Sequence, residues 1–147
     1  TQPAWDTHLR SMMDAFDVAQ AQGKIRYKGI SCHGLPSLRR AVEVDWVQLQ
    51  LARINPFGKH VDGLDGSWDE KGDVPATVTE LEKMHAKGRG IIGMKLVGNG
   101  DFRDAKVRKE SVQFVMGCEF VHASIAGFAS IAEIDETLAN ANEALAG

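Results

Sequence analysis

The chain has 147 residues, 44% of them hydrophobic and 25% charged, with a formal charge of −3. It is sized for one domain that buries roughly 68–70% of its unfolded surface without a covalent staple. The slightly acidic balance gives no reason to expect nucleic acid or an anionic membrane as partner, and no stretch approaches the ~18 apolar residues of a membrane span. Cys32 and Cys118 lack CxxC spacing, which argues against a disulfide framework and for a reduced, cytoplasmic setting. The start on Thr1 rather than Met raises the expectation of a longer parent.

From Trp5 the apolar residues Leu9, Met12, Met13 and Phe16 recur at three- and four-residue steps, predicting a helix with one buried stripe that Gly23 ends. Residues 25–31 make a short strand candidate that displays Ser31, Cys32 and His33 at its carboxyl end. Pro36 suits the first turn of a helix whose buried face continues through Leu38, Ala41 and Val42. In 46–54, Val47, Leu49 and Leu51 alternate with Gln48, Gln50 and Ala52, the period of a strand with two distinct faces.

Residues 55–73, rich in Gly, Asp and Lys, exceed the ~2–6 residues of an ordinary βα loop and read either as a lid over a site or as a disordered segment. Asp73 with Pro75 opens the next helix, where Val78, Leu81 and Met84 share a face and Gly88 closes the element. A strand over 91–97 runs into a turn at Gly98, Asn99 and Gly100. A helix through Val112, Phe114 and Val115 stops near Gly117, with Lys106, Arg108 and Lys109 read as its solvated start. After a strand over 120–125, Ser130 and Glu133 form an S-x-x-E capping pattern, and Ile131, Ile134, Leu138, Ala141 and Leu145 keep helical spacing to the end. The phrases AQGKIRYKGIS and AKGRGIIGMKL resemble each other, each a helix end, a glycine, a basic residue and a strand, which hints at a repeated unit.

Five helices alternating with four strands predict an α/β fold of parallel βα units with right-handed crossovers. Two closures fit that pattern: a doubly wound sheet, or half of a TIM (β/α)8 barrel, which needs ~250 residues in full.

The phrase GKIRYKGIS resembles the fifth strand of the aldo-keto reductases, DWVQLQL their sixth, GRGIIGMKLVGNG their seventh with its turn, and SIAGFASIAEIDETLANANEAL their eighth strand, cofactor loop and last helix. The resemblance covers nearly all of residues 1–147 in family order and implies one partial domain, the carboxyl-terminal half of the barrel, spanning strands five to eight. It implies an NAD(P)-dependent oxidoreductase that transfers hydride between the nicotinamide cofactor and a small carbonyl or alcohol substrate. By resemblance, Ser31 and Gln48 hold the nicotinamide carboxamide, with Cys32 where an asparagine is common. Met94 stands where an aromatic ring stacks on nicotinamide, and Lys95 where a small hydroxyl residue is common. Leu96, Gly98 and Gly100 belong to the turn that wraps the pyrophosphate. Gly127, Phe128 and Ser130 belong to the loop before the last helix, whose free amides and dipole favour an anion, and Glu136 matches an acidic residue on the adenine side.

Phe128 and Glu133 replace groups that grip the 2′-phosphate of NADP, and the Glu133 carboxylate repels it, so the cofactor is NADP or NAD. The family's catalytic Asp, Tyr, Lys and His belong to the first half of the barrel, which makes that half the implied partner and leaves no catalytic residue here. The sole tyrosine, Tyr27, is in the fifth-strand phrase and does not take the acid role. Two other readings stand beside this one: a non-enzymatic half-barrel that pairs with a second copy or another chain, and a doubly wound domain with a hydrolase or lyase site near Ser31 and His33. No His or Cys pair has metal-site spacing, so no metal is expected.

Overall fold

The computed structural model describes residues 9–146; Trp5 and the start of the first predicted helix lie outside them. Helices and strands alternate as α1 (Arg10–Ala21), β1 (Gly29–Ser31), α2 (Leu35–Glu43), β2 (Leu49–Arg53), α3 (Val74–Ala86), β3 (Gly90–Met94), α4 (Ala105–Met116), β4 (Ala123–Ile125) and α5 (Ile131–Ala146). A short 3-10 turn, Gly98–Gly100, stands between β3 and α4. All strands are parallel and pair in the order β1-β2-β3-β4. The order never reverses, so the described residues contain no switch point of the doubly wound kind. No hydrogen bond joins Ser31 to the exposed His33.

Helices α3, α4 and α5 start on a side-chain cap, whereas α1 and α2 have none. Gly34, with φ +87°, precedes α2 and its early Pro36. Asp73 accepts a hydrogen bond from the Ala76 amide at 3.0 Å to open α3, and Asp104 accepts from Lys106 at 2.7 Å to open α4. The two look-alike glycine sites end α1 and α3 in the same way. Gly23 and Gly88, at φ +70° and +72°, donate to the carbonyls of Gln20 and His85, and Lys24 and Arg89 reach back to Ala19 and Met84. These are six-to-one Schellman closures, for which glycine carries no Cβ penalty.

Pairing register separates the two sheet faces. Ile30, Gln50 and Ile91 share one row and Ala52 and Gly93 the next; Gln50, Ala52, Ile91 and Gly93 are buried, and the core joins Ile91 and Ala52 to Leu38, Leu81, Met84 and Val115. The other face carries Ser31, Leu51, Ile92 and Ala123 in register, and these are half-buried or exposed. A parallel sheet ordinarily has both faces covered; within the described residues this one is covered only at its carboxyl end, where Arg53 is buried against Asp62.

The terminal helices share that incompleteness. On α1 Met13 is in the core, but Met12 and Phe16, expected on the same buried stripe, are 56% and 41% exposed. On α5 Ile131, Leu138 and Leu145 are 77%, 56% and 71% exposed. The inner helices α2, α3 and α4 contribute Leu38, Leu81 and Val112, all almost fully buried.

The strands are shorter than their apolar runs. Lys95 takes φ +67° directly after Met94 and ends β3, which leaves Leu96 and Val97 in the turn. At β4, Phe120 is spent on the core and pairing begins only at Ala123.

Candidate functional site

The carboxyl ends of β2, β3 and β4 lie beside a loop that two local devices hold. Asn55 follows β2 and makes an Asx turn, its side-chain oxygen accepting from the amides of Phe57 and Lys59, while its amide donates to the carbonyls of Lys59 at 2.8 Å and Lys95 at 3.2 Å. Loop 55–73 is thereby tied across the sheet and adopts one defined course. Arg53, on the last residue of β2, donates through Nε and Nη2 to Oδ1 of Asp62 at 3.2 and 2.7 Å, and both side chains are buried. The same oxygen accepts from the Gly34 amide at 2.9 Å, so one carboxylate joins the loop to the ends of β1 and β2.

Backbone strain gathers at the same place. Among the described residues, the non-glycine positions with left-handed φ are His60 (+56°), Lys95 (+67°) and Asn99 (+60°). The last two are joined by a hydrogen bond from Lys95 Nζ to Asn99 Oδ1 at 2.7 Å. Conformations of this sort cost energy and persist where surrounding contacts over-determine them, most often at functional sites.

Beside this junction lies a cleft of about 700 Å³ between the β3 turn and the segment that follows β4, within the usual size range of small-molecule sites. Of the residues expected to bind cofactor, it gathers Met94, Lys95, Leu96, Gly100, Gly127, Phe128 and Glu136. A Cβ placed on Gly100 or on Gly127 meets nothing within 4 Å, so the backbone there lies open to close approach from the cleft. Gly98 lies in the same turn but packs against the Phe102 ring and does not line the cleft.

Other expected members stand elsewhere. Ser31 is exposed at the end of β1, in the row Ser31–Leu51–Ile92–Ala123, two strands from β3. Cys32 turns to the helix side, where Gln50 Nε2 donates to its sulfur at 3.5 Å and burial pushes its thiol up to about 11, so it is an inert packed group. Gln48 is not brought to the site. It precedes β2 at the amino end of the sheet, where its Oε1 accepts from Gln20 Nε2 at 2.9 Å and from the Lys28 amide at 3.2 Å. In register Gly29 faces Leu49 and Ser31 faces Leu51, so Gln48 and Ser31 lie at opposite ends of the sheet.

The start of α5 differs from an open anion site. Glu133 Oε2 accepts from the Ala129 amide at 2.8 Å, while Ser130 Oγ accepts from the Glu133 amide at 3.3 Å. The capping box is therefore closed by the chain's own carboxylate, one residue earlier than the usual return bond. The basic run is not a solvated start. Arg108 makes a fork of two 2.8 Å bonds to both oxygens of Glu136 and also holds the carbonyls of Phe102 and Arg103, and Lys109 pairs with Glu143. The fork holds the Glu136 carboxyl below its ordinary range. Glu136 thus borders the cleft with its oxygens engaged. Arg103 also lines the cleft, and its guanidinium makes no hydrogen bond or ion pair with another described residue.

Asp62, His60 and Arg103 were invisible to periodicity, because irregular backbone has no repeat to read, and Arg53 at the end of β2 has its role only through Asp62. The Asn55-Pro56 step and the glycines that follow were the one local signal of a built loop.

A shallower depression of about 800 Å³ at the amino ends is lined by Tyr27, Asp45, Gln48, Arg89 and His122 among others. Parallel α/β sheets bind ligands at the carboxyl ends, and Arg89 there is committed to the Ala41 carbonyl at 2.6 Å. The described residues contain no cluster of three or more His, Cys, Asp or Glu able to hold a metal ion, and no helix long and apolar enough to cross a membrane. Comparison with protein-family models, with curated proteins and with solved structures found no match to this chain.

Proposed function

We propose that this chain is the carboxyl-terminal half of an aldo-keto reductase-like (βα)8 barrel, carrying the nicotinamide dinucleotide site of a cytoplasmic oxidoreductase that acts on a carbonyl or alcohol. The observation that carries the reading is the cleft, where the turn after β3 and the segment after β4 come together as the resemblance requires. The unreversed strand order, the uncovered sheet face and the exposed stripes on α1 and α5 support an arc of a ring, because an arc leaves its inner face and its two flanks without neighbours.

When bound, the cofactor supplies the hydride. The chain's own residues supply position and charge. Gly100 and Gly127 admit phosphate oxygens close to backbone, Arg103 offers a guanidinium for an anion, and Met94 lays a polarizable thioether at the end of β3 for a flat ring. Glu133 adds a negative charge to the same wall, which favours NAD over the extra phosphate of NADP. The proton donor belongs to the other half of the barrel, since Tyr27 lies by the amino-end depression.

Titration of the purified chain with NADH and NADPH, followed by nicotinamide fluorescence, tests this. The expected result is saturable binding that is tighter for NADH, weakened by Gly127→Ala without loss of helical signal; no binding of either nucleotide overturns the reading. Carbonyl-dependent oxidation of NADH by the chain alone would contradict the placement of the proton donor. A second reading, favoured by the same open face, is a half-barrel assembly module without chemistry. A monomer at every concentration in sedimentation speaks against pairing of two copies.

A further inference from the structure

His60 is 2% exposed, and each of its ring nitrogens sits 3.0 Å from an oxygen, Nδ1 from the Trp68 carbonyl and Nε2 from Asp101 Oδ2. A carbonyl has no proton to donate, and neither has an ionised carboxylate, so each contact needs an N–H. Neutral histidine has only one. We propose that His60 is an imidazolium latch: with both nitrogens protonated it ties loop 55–73 to the turn that walls the cleft, and loss of one proton loosens that tie.

Several features support a proton on the ring rather than on Asp101. The hydrogen bonds from His60 and then Lys59 hold the Asp101 carboxyl below its ordinary range. Lys59 Nζ shares the same oxygen at 3.3 Å, so Asp101 is an acceptor for two cations. The remaining charged groups around the junction are Lys95, whose ammonium lies 4.9 Å from the Trp68 ring centroid, and the other carboxylates of loop 55–73. Asp62 is bound to Arg53, and Glu70 accepts from the amides of Leu64, Asp65 and Gly66. Asp69, exposed beside Trp68, makes no hydrogen bond or ion pair among the described residues, and Asp101 is the carboxylate in contact with the His60 ring.

The latch reaches the cleft. The His60 ring stacks on Trp68 with centroids 3.8 Å apart; Lys95 covers Trp68 and also bonds Asn99, and both Lys95 and Asn99 line the cleft. The left-handed backbone at His60, φ +56°, is held by these contacts and relaxes without them. Buried as it is, a deprotonated nitrogen facing a lone pair has no water to replace its lost bond. The tether therefore holds while the ring carries both protons and weakens when one is lost. This inference does not rest on dinucleotide binding.

The test follows the His60 ring nitrogens by NMR together with amide exchange, expressed as protection factors, across ~pH 5 to 8 without added ligand. The expected result is a doubly protonated ring at the acidic end and protection of residues 55–73 that falls severalfold in step with its titration, while β2 and β3 stay protected. Asp101→Asn should move the ring's midpoint to lower pH, and His60→Gln should leave the loop poorly protected at every pH. A single neutral tautomer throughout, or protection that ignores the ring's titration, overturns the proposal. The Asp101→Asn arm stands even if His60→Gln does not fold.

Discussion

Asp62 accepts three hydrogen bonds on one carboxylate oxygen, while its other oxygen, Oδ2, is buried without a partner. Removing a buried partner leaves the opposite charge uncompensated, at a cost of about 3–5 kcal/mol. Asp62→Ala should therefore lower the unfolding free energy by that order in urea denaturation, and a loss below about 1 kcal/mol would show that Arg53 finds another partner or water. Residues of this kind were not legible beforehand. Nothing in the sequence distinguishes Asp62 from the other acids of loop 55–73, since its role depends on Arg53 lying opposite and on the Gly34 amide 28 positions away. The glycines were legible where backbone demand is local: Gly100 and Gly127 open a wall because they lack a side chain. Gln48 misled, because a carboxamide beside an apolar alternation has no mark of which strand end it occupies.

At the scale of elements, the helices were the most readable part, since caps and stripes are local. The Schellman glycines Gly23 and Gly88 have open space where a Cβ would go, so substitution there carries only the backbone penalty. Gly88→Ala should cost about 1–2 kcal/mol, measured by chemical denaturation, with no change in the α3 packing shifts. The strand edges were less readable, because pairing stops where a neighbour stops. The union of α4 and α5 through Arg108–Glu136 and Lys109–Glu143 was missed, as both pairs join residues 28 and 34 apart. Glu136 and Glu143 are both depressed below their ordinary 4.5, chiefly by hydrogen bonds from Arg108 and Lys109. A depressed carboxylate stabilises the fold above its unfolded pKa and loses that contribution as pH falls through the folded value. On acidification below 4.5, α5 should therefore lose exchange protection before α3 does; equal loss in both helices would contradict this.

For the whole molecule, an unreversed parallel order with right-handed crossovers puts the helices on one side. The alternation of elements alone announced a parallel α/β sheet, but it was equally compatible with a doubly wound sheet; only pairing order separates the two. What the sheet leaves uncovered, Leu51, Ile92 and Ile125 together with the outer stripes of α1 and α5, is the surface a complementary half would bury. The cleft at the carboxyl ends is the proposed dinucleotide site. Amide shift mapping of the chain with NADH and with NADPH tests the account most directly. A dinucleotide site in the cleft predicts saturable shifts concentrated in residues 94–103 and 125–137, larger with NADH; shifts confined to the amino-end residues around Gln48, or none with either nucleotide, would contradict it.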